Sequence, residues 1–375
     1  MKLLVLSKFS FTIIALLLIV GCEGKNEDLP PSPVSFDGVI SFNLNISASP
    51  TCGEAISLYT SEYQGAYSFG ARGAQTAAPW GAIEDGDGSA DPGEDVDGFD
   101  LVLVNNSYFG LGAIQGYGYT DIFFNLPSLT HTGKKFPADI SVLAFNHATV
   151  KARYRRAIDK VVPYLNDSVK YFSLGNEVDS YLTNRPVSEW VEYKELIEDA
   201  RSYLKSLKPS ITVGITTTFN GFSNRDVTNV ASLNENMDAV FLTYYPISSS
   251  FIADDPSVVS TDMRTMSNLA GSKKVILQEW GYPSSSTNSG SESKQATFIS
   301  NTFDEWKALG SSQFPFISFF KRREWNACEC AAQTSSSPGN PFYDFMCSLG
   351  ILNNNSSPKS SNSTLSSKMA ELGIP

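Results

Sequence analysis

Two glutamates each close an apolar run. Glu177 ends Tyr171-Phe172-Ser173-Leu174-Gly175-Asn176-Glu177, and Glu279 ends Val275-Ile276-Leu277-Gln278-Glu279. Each run reads as a short buried strand that stops at a carboxylate. A single charged strand end would be an ordinary solvated one. Two of them, on strands far apart in sequence, suggest a shared task. A pair of carboxylates can break a glycosidic bond, one protonating the leaving oxygen while the other attacks the anomeric carbon. That division of labour needs two environments, one raising a pKa and one keeping a carboxylate ionised. The neighbours suit it. Asn176 could hydrogen-bond a sugar 2-hydroxyl, and the indole of Trp280 could form part of a sugar platform.

The elements that must position these residues alternate along the chain. Candidate strands are Val39 to Asn45, Gly73 to Trp80, Asp121 to Leu126 (or the nearby Ile140 to Phe145), Lys170 to Asn176, Ile211 to Thr218, Ala239 to Tyr245, Lys274 to Glu279 and Phe314 to Phe320. Helical spacing of apolar residues predicts helices over Thr149 to Leu165, Val187 to Leu207 and Ser293 to Leu309, with a short closing helix over Ser363 to Leu372. Strands alternating with helices are the signature of βα units and a parallel sheet. Eight such units predict an α/β fold, a (β/α)8 TIM barrel forming a single catalytic domain over 38–375. The glutamates end the fourth and seventh strands, where such barrels build their sites.

Three motifs then carry a family resemblance. Leu174-Gly175-Asn176-Glu177 resembles the acid/base motif of the clan A glycoside hydrolases, which are retaining TIM-barrel enzymes. Gln278-Glu279-Trp280-Gly281-Tyr282-Pro283 is similar to their nucleophile motif, particularly in the form found in endo-β-1,4-galactanases. Leu242-Thr243-Tyr244-Tyr245-Pro246 is similar to the sixth-strand segment of the same enzymes. The resemblance implies Glu177 as acid/base and Glu279 as nucleophile. It implies a tyrosine that holds the nucleophile: Tyr245, or Tyr244 if the register is shifted by one. Trp325 stands where such barrels place a tryptophan under the bound sugar, and Trp80 is a candidate for lining the cleft. Arg72 is the candidate for the clan's early arginine. For Trp80 and Trp325, plain packing is the competing reading. The activity implied is retaining hydrolysis of β-glycosidic bonds in an oligo- or polysaccharide, or transglycosylation if the acceptor site excludes water. A non-catalytic glycan- or partner-binding protein on the same barrel is the alternative.

Composition bounds the setting. The chain has 375 residues, with 18% charged and 42% hydrophobic, a globular balance. The net charge of -11 argues against nucleic acid as a partner. Lys2 and Lys8 supply positive charge ahead of Phe9 to Val20, an apolar stretch too short for a comfortable membrane span, which runs into Ile19-Val20-Gly21-Cys22. This resembles a bacterial lipobox. It predicts a signal peptide over 1–21, lipidation of Cys22, a polar tether over 22–37, and a lipid-anchored, extracytoplasmic place in the bacterial cell envelope. Export permits disulfides among Cys52, Cys328, Cys330 and Cys347. Cys328 and Cys330 are too close to pair with each other, so one can bond Cys347 with Cys52 joining the other. His131 and His147 stand apart from the cysteines, which gives no metal-ligand cluster, and each reads as an ordinary surface or core residue. The acidic loop Ile83 to Asp100 reads as a solvated loop or as a calcium site of non-EF-hand spacing. The mechanism itself requires no cofactor, and nothing suggests an interface, so a monomer is expected.

Overall fold

The computed structural model describes residues 36–44, 52, 56–84, 98–105 and 110–375. The expected signal segment, Cys22, most of the tether and residues 85–97 of the acidic loop lie outside the described residues.

Eight parallel strands form the barrel. They are Val39–Phe42, Gly73–Ala77, Asp121–Asn125, Val169–Ser173, a fifth strand in two pieces (Thr212–Gly214 and Thr216–Thr218), Val240–Tyr244, Val275–Trp280 and Phe316–Phe319. The first pairs with the second and the eighth. The fourth pairs with the first piece of the fifth strand, and the sixth with its second piece. The ring is therefore carried through the fifth strand, split at Ile215. Of the two candidates for the third strand, Asp121–Asn125 is the strand, and Ile140 belongs to a single 3-10 turn after Pro137. Trp80, expected to end the second strand, instead begins the short helix Trp80–Ile83 after Pro79.

Helices cover the outside as their spacing predicts. Helix Val187–Leu207 turns Trp190, Tyr193, Leu196, Ile197, Ala200 and Leu204 inward, a 3.6-residue pattern. Each large aliphatic side chain so buried contributes about 1.5–3 kcal/mol. Helix Glu292–Leu309 starts where Ser291 accepts a hydrogen bond from the Lys294 backbone N–H, and helix Ser360–Glu371 packs beside it.

Inside the barrel the filling changes along its axis. The lower layer is aromatic: Phe123, Tyr171, Phe241 and Phe316 pack with Ala239 and Ile276. The second and fifth strands make room with glycine. A Cβ at Gly214 would lie 2.8 Å from the Phe241 ring, and one at Gly73 would lie 2.6 Å from Phe316. Above this layer the filling turns polar. Gln75 Nε2 donates to the Gln278 carbonyl at 2.9 Å and to the Ser318 hydroxyl at 2.8 Å, and the Ser173 and Thr216 hydroxyls lie 3.1 Å apart. An apolar floor beneath a hydrogen-bonded layer leaves the carboxyl ends of the strands as the polar end of the barrel.

Two disulfides, Cys52–Cys328 and Cys330–Cys347, secure the segment after the eighth strand. The expectation that one of Cys328 and Cys330 bonds Cys347 and Cys52 the other is met.

Candidate active site

The chain leaves the fourth strand at Ser173 and turns sharply. Glu177 adopts φ 51° and ψ 42°, the left-handed region, and caps helix Val178–Leu182. Such a backbone costs a non-glycine residue on the order of 1–3 kcal/mol and persists only where the surroundings hold it. Gly175 permits the close approach, since a Cβ there would lie 2.3 Å from the Tyr193 hydroxyl. The turn aims Glu177 across the barrel. The Thr243 hydroxyl, on the sixth strand, donates to Glu177 Oε1 at 2.7 Å. His131 Nδ1 lies 3.6 Å from Glu177 Oε2. His131 sits in the turn between Leu129–Thr130 and Gly133–Lys134, a short antiparallel pair after the third strand.

The seventh strand uses a different device. Its pairing with the sixth skips one residue, so that Leu277 faces Leu242 and Glu279 faces Thr243. Gln278 is the extra residue of a β-bulge. In a regular strand consecutive side chains point to opposite faces. A bulge re-aims them, and here Gln278 and Glu279 both line the cleft. Tyr245 Oη donates to Glu279 Oε2 at 2.8 Å, whereas Tyr244 Oη donates to Asp262 at 2.6 Å on the outer side. The register therefore selects Tyr245 as the partner of Glu279.

Electrostatics follow from burial. Glu279 is pushed up to about 8, first by desolvation and then by the charge of Glu177, with the Tyr245 hydrogen bond opposing both. The Tyr245 hydroxyl is held well above its usual range by burial and by Glu279, so it stays a donor. Beneath Glu177, Asp179 is fully buried and accepts from the Thr218 backbone N–H at 2.8 Å, the Thr218 hydroxyl at 2.6 Å and Arg225 at 2.8 Å. Burial raises Asp179 to about 6 against those hydrogen bonds. It anchors the π-helical turn Gly221–Arg225, where a Cβ on Gly221 would lie 2.1 Å from the Asp179 carboxylate.

The cleft at this end measures about 160 Å³. Its lining includes Asn43, Gln75, Asn125, Thr130, Asn176, Gln278 and Glu279. Gln278 Nε2 donates to Asn176 Oδ1 at 2.9 Å, which links the strand of one glutamate to that of the other.

Of the residues singled out in the sequence, Glu177, Glu279, Asn176 and Tyr245 come together here. The tryptophans do not join them. Trp80 is fully buried, packed on Tyr154 and Phe136, with its Nε1 donating to Glu84 at 2.6 Å. Trp280 is also fully buried and stacks on Phe298 at 4.9 Å, because the bulge leaves it facing the helix layer. Neither presents a ring to a sugar. Trp325 is 7% exposed and lies outside the cleft lining, beside a small void formed with Asn43, Glu62 and Lys321. Arg72 precedes the second strand, at the opposite end of the barrel, and bonds the carbonyls of Tyr67 and Ala71. Thr243, His131, Asn125 and Gln75 were not singled out. A polar residue at the inner end of an apolar strand, as in Ile122-Phe123-Phe124-Asn125, was the available signal for Asn125. His131 comes after a loop and gave none.

No protein-family model and no curated protein sequence matches this chain. Solved structures do match it in fold. A GH5_18 protein from Bifidobacterium longum subsp. longum superposes with TM-score 0.67 at 14% identity, covering 89% of this chain and 78% of its own. A variant described from the same source is in complex with Manβ1-4GlcNAc. The Ignisphaera aggregans GH53 catalytic domain superposes with TM-score 0.57 at 14% identity, covering 90% of this chain and 97% of its own. A β-D-glucuronidase from Dictyoglomus thermophilum gives TM-score 0.55 at 14% identity, covering 90% of this chain and 50% of its own. The GH5_18 and GH53 neighbours are clan A TIM-barrel glycosidases, the group the three motifs resemble. At such identities the likeness establishes the (β/α)8 fold.

Proposed function

We propose that this chain is a retaining glycoside hydrolase that cleaves β-linked sugars of an extracytoplasmic oligo- or polysaccharide. The observation that carries the reading is the convergence of Glu177 and Glu279 on one cleft, the first oriented by the Thr243 hydroxyl of the sixth strand and the second by the hydroxyl of Tyr245, just past its end. In the reacting complex Glu177 holds the proton. As the glycosidic bond breaks, that proton passes to the leaving oxygen and Glu279 Oε bonds the anomeric carbon. Glu177, now a carboxylate, takes a proton from water, whose oxygen displaces Glu279 and restores both groups.

Burial and the neighbouring charge raise Glu279, which works against its ionised form. Two things favour the reactive arrangement, with Glu279 ionised. Tyr245 donates to it, and positive charge develops on the sugar as the bond breaks. Fold alone does not carry function, and the reading rests on these contacts. The lipobox-like Ile19-Val20-Gly21-Cys22 supports lipid anchoring on the outside of a bacterial membrane, with the barrel as a monomer facing the glycan.

The test is hydrolysis of a panel of β-linked polysaccharides (galactan, mannan and mixed-linkage glucans) by the full chain and by Glu279→Gln. Sugar release by the wild type alone is expected. Binding to one polysaccharide by both proteins, without release by either, overturns the reading in favour of a non-catalytic glycan binder.

A further inference from the structure

Glu177 has two carboxylate oxygens, and the fold treats them differently. Oε1 accepts from the Thr243 hydroxyl at 2.7 Å. Oε2 faces the imidazole of His131, whose Nδ1 lies 3.6 Å away, beyond hydrogen-bond length. The His131 side chain is 55% exposed and that of Glu177 22%. An exposed histidine is commonly no more than a solvated surface group. Here, however, the turn that carries it is fixed to the chain that carries the acid. The Asn176 backbone N–H, next to Glu177, donates to the Leu129 carbonyl at 3.0 Å, and the Ser128 N–H donates to the Leu174 carbonyl at 3.1 Å. The antiparallel pair Leu129–Thr130 and Gly133–Lys134 therefore runs along the exit of the fourth strand. Across its tip the Thr130 and Thr132 hydroxyls lie 2.9 Å apart, and Lys135 Nζ donates to Thr132 Oγ1 at 3.0 Å. Gly133 takes φ 131°, a conformation that glycine adopts without penalty. The tip thus keeps His131 beside the acid.

We infer that His131 belongs to the leaving-group side of the site, where its ring contacts the sugar unit that departs with the Glu177 proton, and that the substrate is a glycan carrying such a unit. This rests on the glycosidase reading. Thr243 occupies Oε1, so Oε2 is the oxygen left to hold the proton and deliver it. An acid must lie within hydrogen-bond reach of the oxygen it protonates. A leaving oxygen that close to Oε2 brings its own ring up to His131. The sugar that stays behind is the one Glu279 attacks, so it sits over the cleft that Glu279, Asn176 and Thr130 help to line. Glu177 and His131 adjoin that cleft at its Thr130 edge, and the departing unit leaves past them. Imidazole suits the place. In its neutral form one nitrogen donates and the other accepts, so it can pair with a sugar hydroxyl in either sense.

The experiment reads binding, which needs no turnover. The sequence has two histidines, His131 and His147. His147 caps helix Ala148–Val161, its Nδ1 accepting from the Thr149 backbone N–H at 3.2 Å, and serves as the internal comparison. The full chain, isotope-labelled at histidine for NMR, is titrated with hydrolysis-resistant, thio-linked β-disaccharides of galactose, mannose and glucose. At least one disaccharide is expected to bind, to shift the imidazole signals of His131 and to leave those of His147 in place. In His131→Ala its affinity is expected to fall about fivefold or more, the worth of a typical hydrogen bond, with the thermal midpoint preserved. The matching methyl β-thioglycoside, which has no second ring, is expected to show no difference between the two proteins. Binding without a shift at His131 overturns the inference, as does unchanged affinity in a folded His131→Ala. An equal loss for the methyl thioglycoside, or no binding of any disaccharide, also overturns it. Binding of the expected kind by a protein that hydrolyses no glycoside would refute the enzymatic reading and leave His131 as a contact of the bound glycan. The two therefore fail separately.

Discussion

Removing the Glu279 carboxyl should make the protein more stable, and more so as pH rises. The group is raised from its usual 4.5 to about 8 in the folded protein. Between those pH values the unfolded chain has released the proton and the folded chain still holds it. The folded state then binds more protons, so stability falls with pH across this window. The slope for one group is at most about 1.4 kcal/mol per pH step of one, so the loss by pH 8 is on the order of a few kcal/mol. Glu279→Gln keeps the shape, keeps an oxygen that can accept from Tyr245, and removes the titration. The assay is urea unfolding of wild type and variant at pH 5 and pH 8.5, with disulfides intact. Groups remote from Glu279 titrate alike in both proteins and cancel in the difference. The stability gap in favour of the variant should widen by about 2 kcal/mol or more from pH 5 to pH 8.5. Parallel behaviour at the two pH values would refute the argument that burial and Glu177 raise Glu279.

Other substitutions follow the same contacts. Tyr245→Phe removes a hydrogen bond to a buried carboxylate, worth about 1.5–3 kcal/mol. Steady-state kinetics should show kcat/KM lower by roughly ten- to a hundredfold, with the acidic limb moved to higher pH, since this bond holds Glu279 down. Asp179→Ala breaks a buried pair with Arg225 and strands the Thr218 donors. It should cost about 3 kcal/mol in denaturant unfolding, the low end for buried pairs because Arg225 is 36% exposed. Gly175→Ala would press a methyl against the Tyr193 hydroxyl and should cost about 1–3 kcal/mol, read the same way, with activity falling as Glu177 shifts.

The chain states its strands plainly because a parallel barrel buries them on both faces, so they read as continuous apolar runs. Val275–Trp280 and Val240–Tyr244 are legible for that reason. Both glutamates were visible as charges ending such runs. The bulge at Gln278 was not, because register is a property of two strands and a one-residue slip turns each following side chain over. That turn is why Trp280 faces Phe298 instead of a sugar. Trp80 misled for a related reason. Pro79 starts a helix there, and the ring packs inward on Tyr154. Thr243 carried no signal of its own, since only the closed ring brings the sixth strand beside Glu177. The split at Ile215 shows that pairing as well. The piece before it pairs with the fourth strand and the piece after it with the sixth.

The central claim is that Glu279 is the nucleophile and Glu177 the acid/base. Its most direct test uses a panel of 2-deoxy-2-fluoro β-glycosides with a dinitrophenyl leaving group, which accumulate the covalent intermediate of a retaining enzyme. After incubation, peptide mass mapping should place the fluoro-sugar on Glu279. Glu177→Gln should still form that adduct, because an activated leaving group needs no acid. Turnover of glycosides with no covalent adduct, or an adduct on any other carboxylate, would contradict the account.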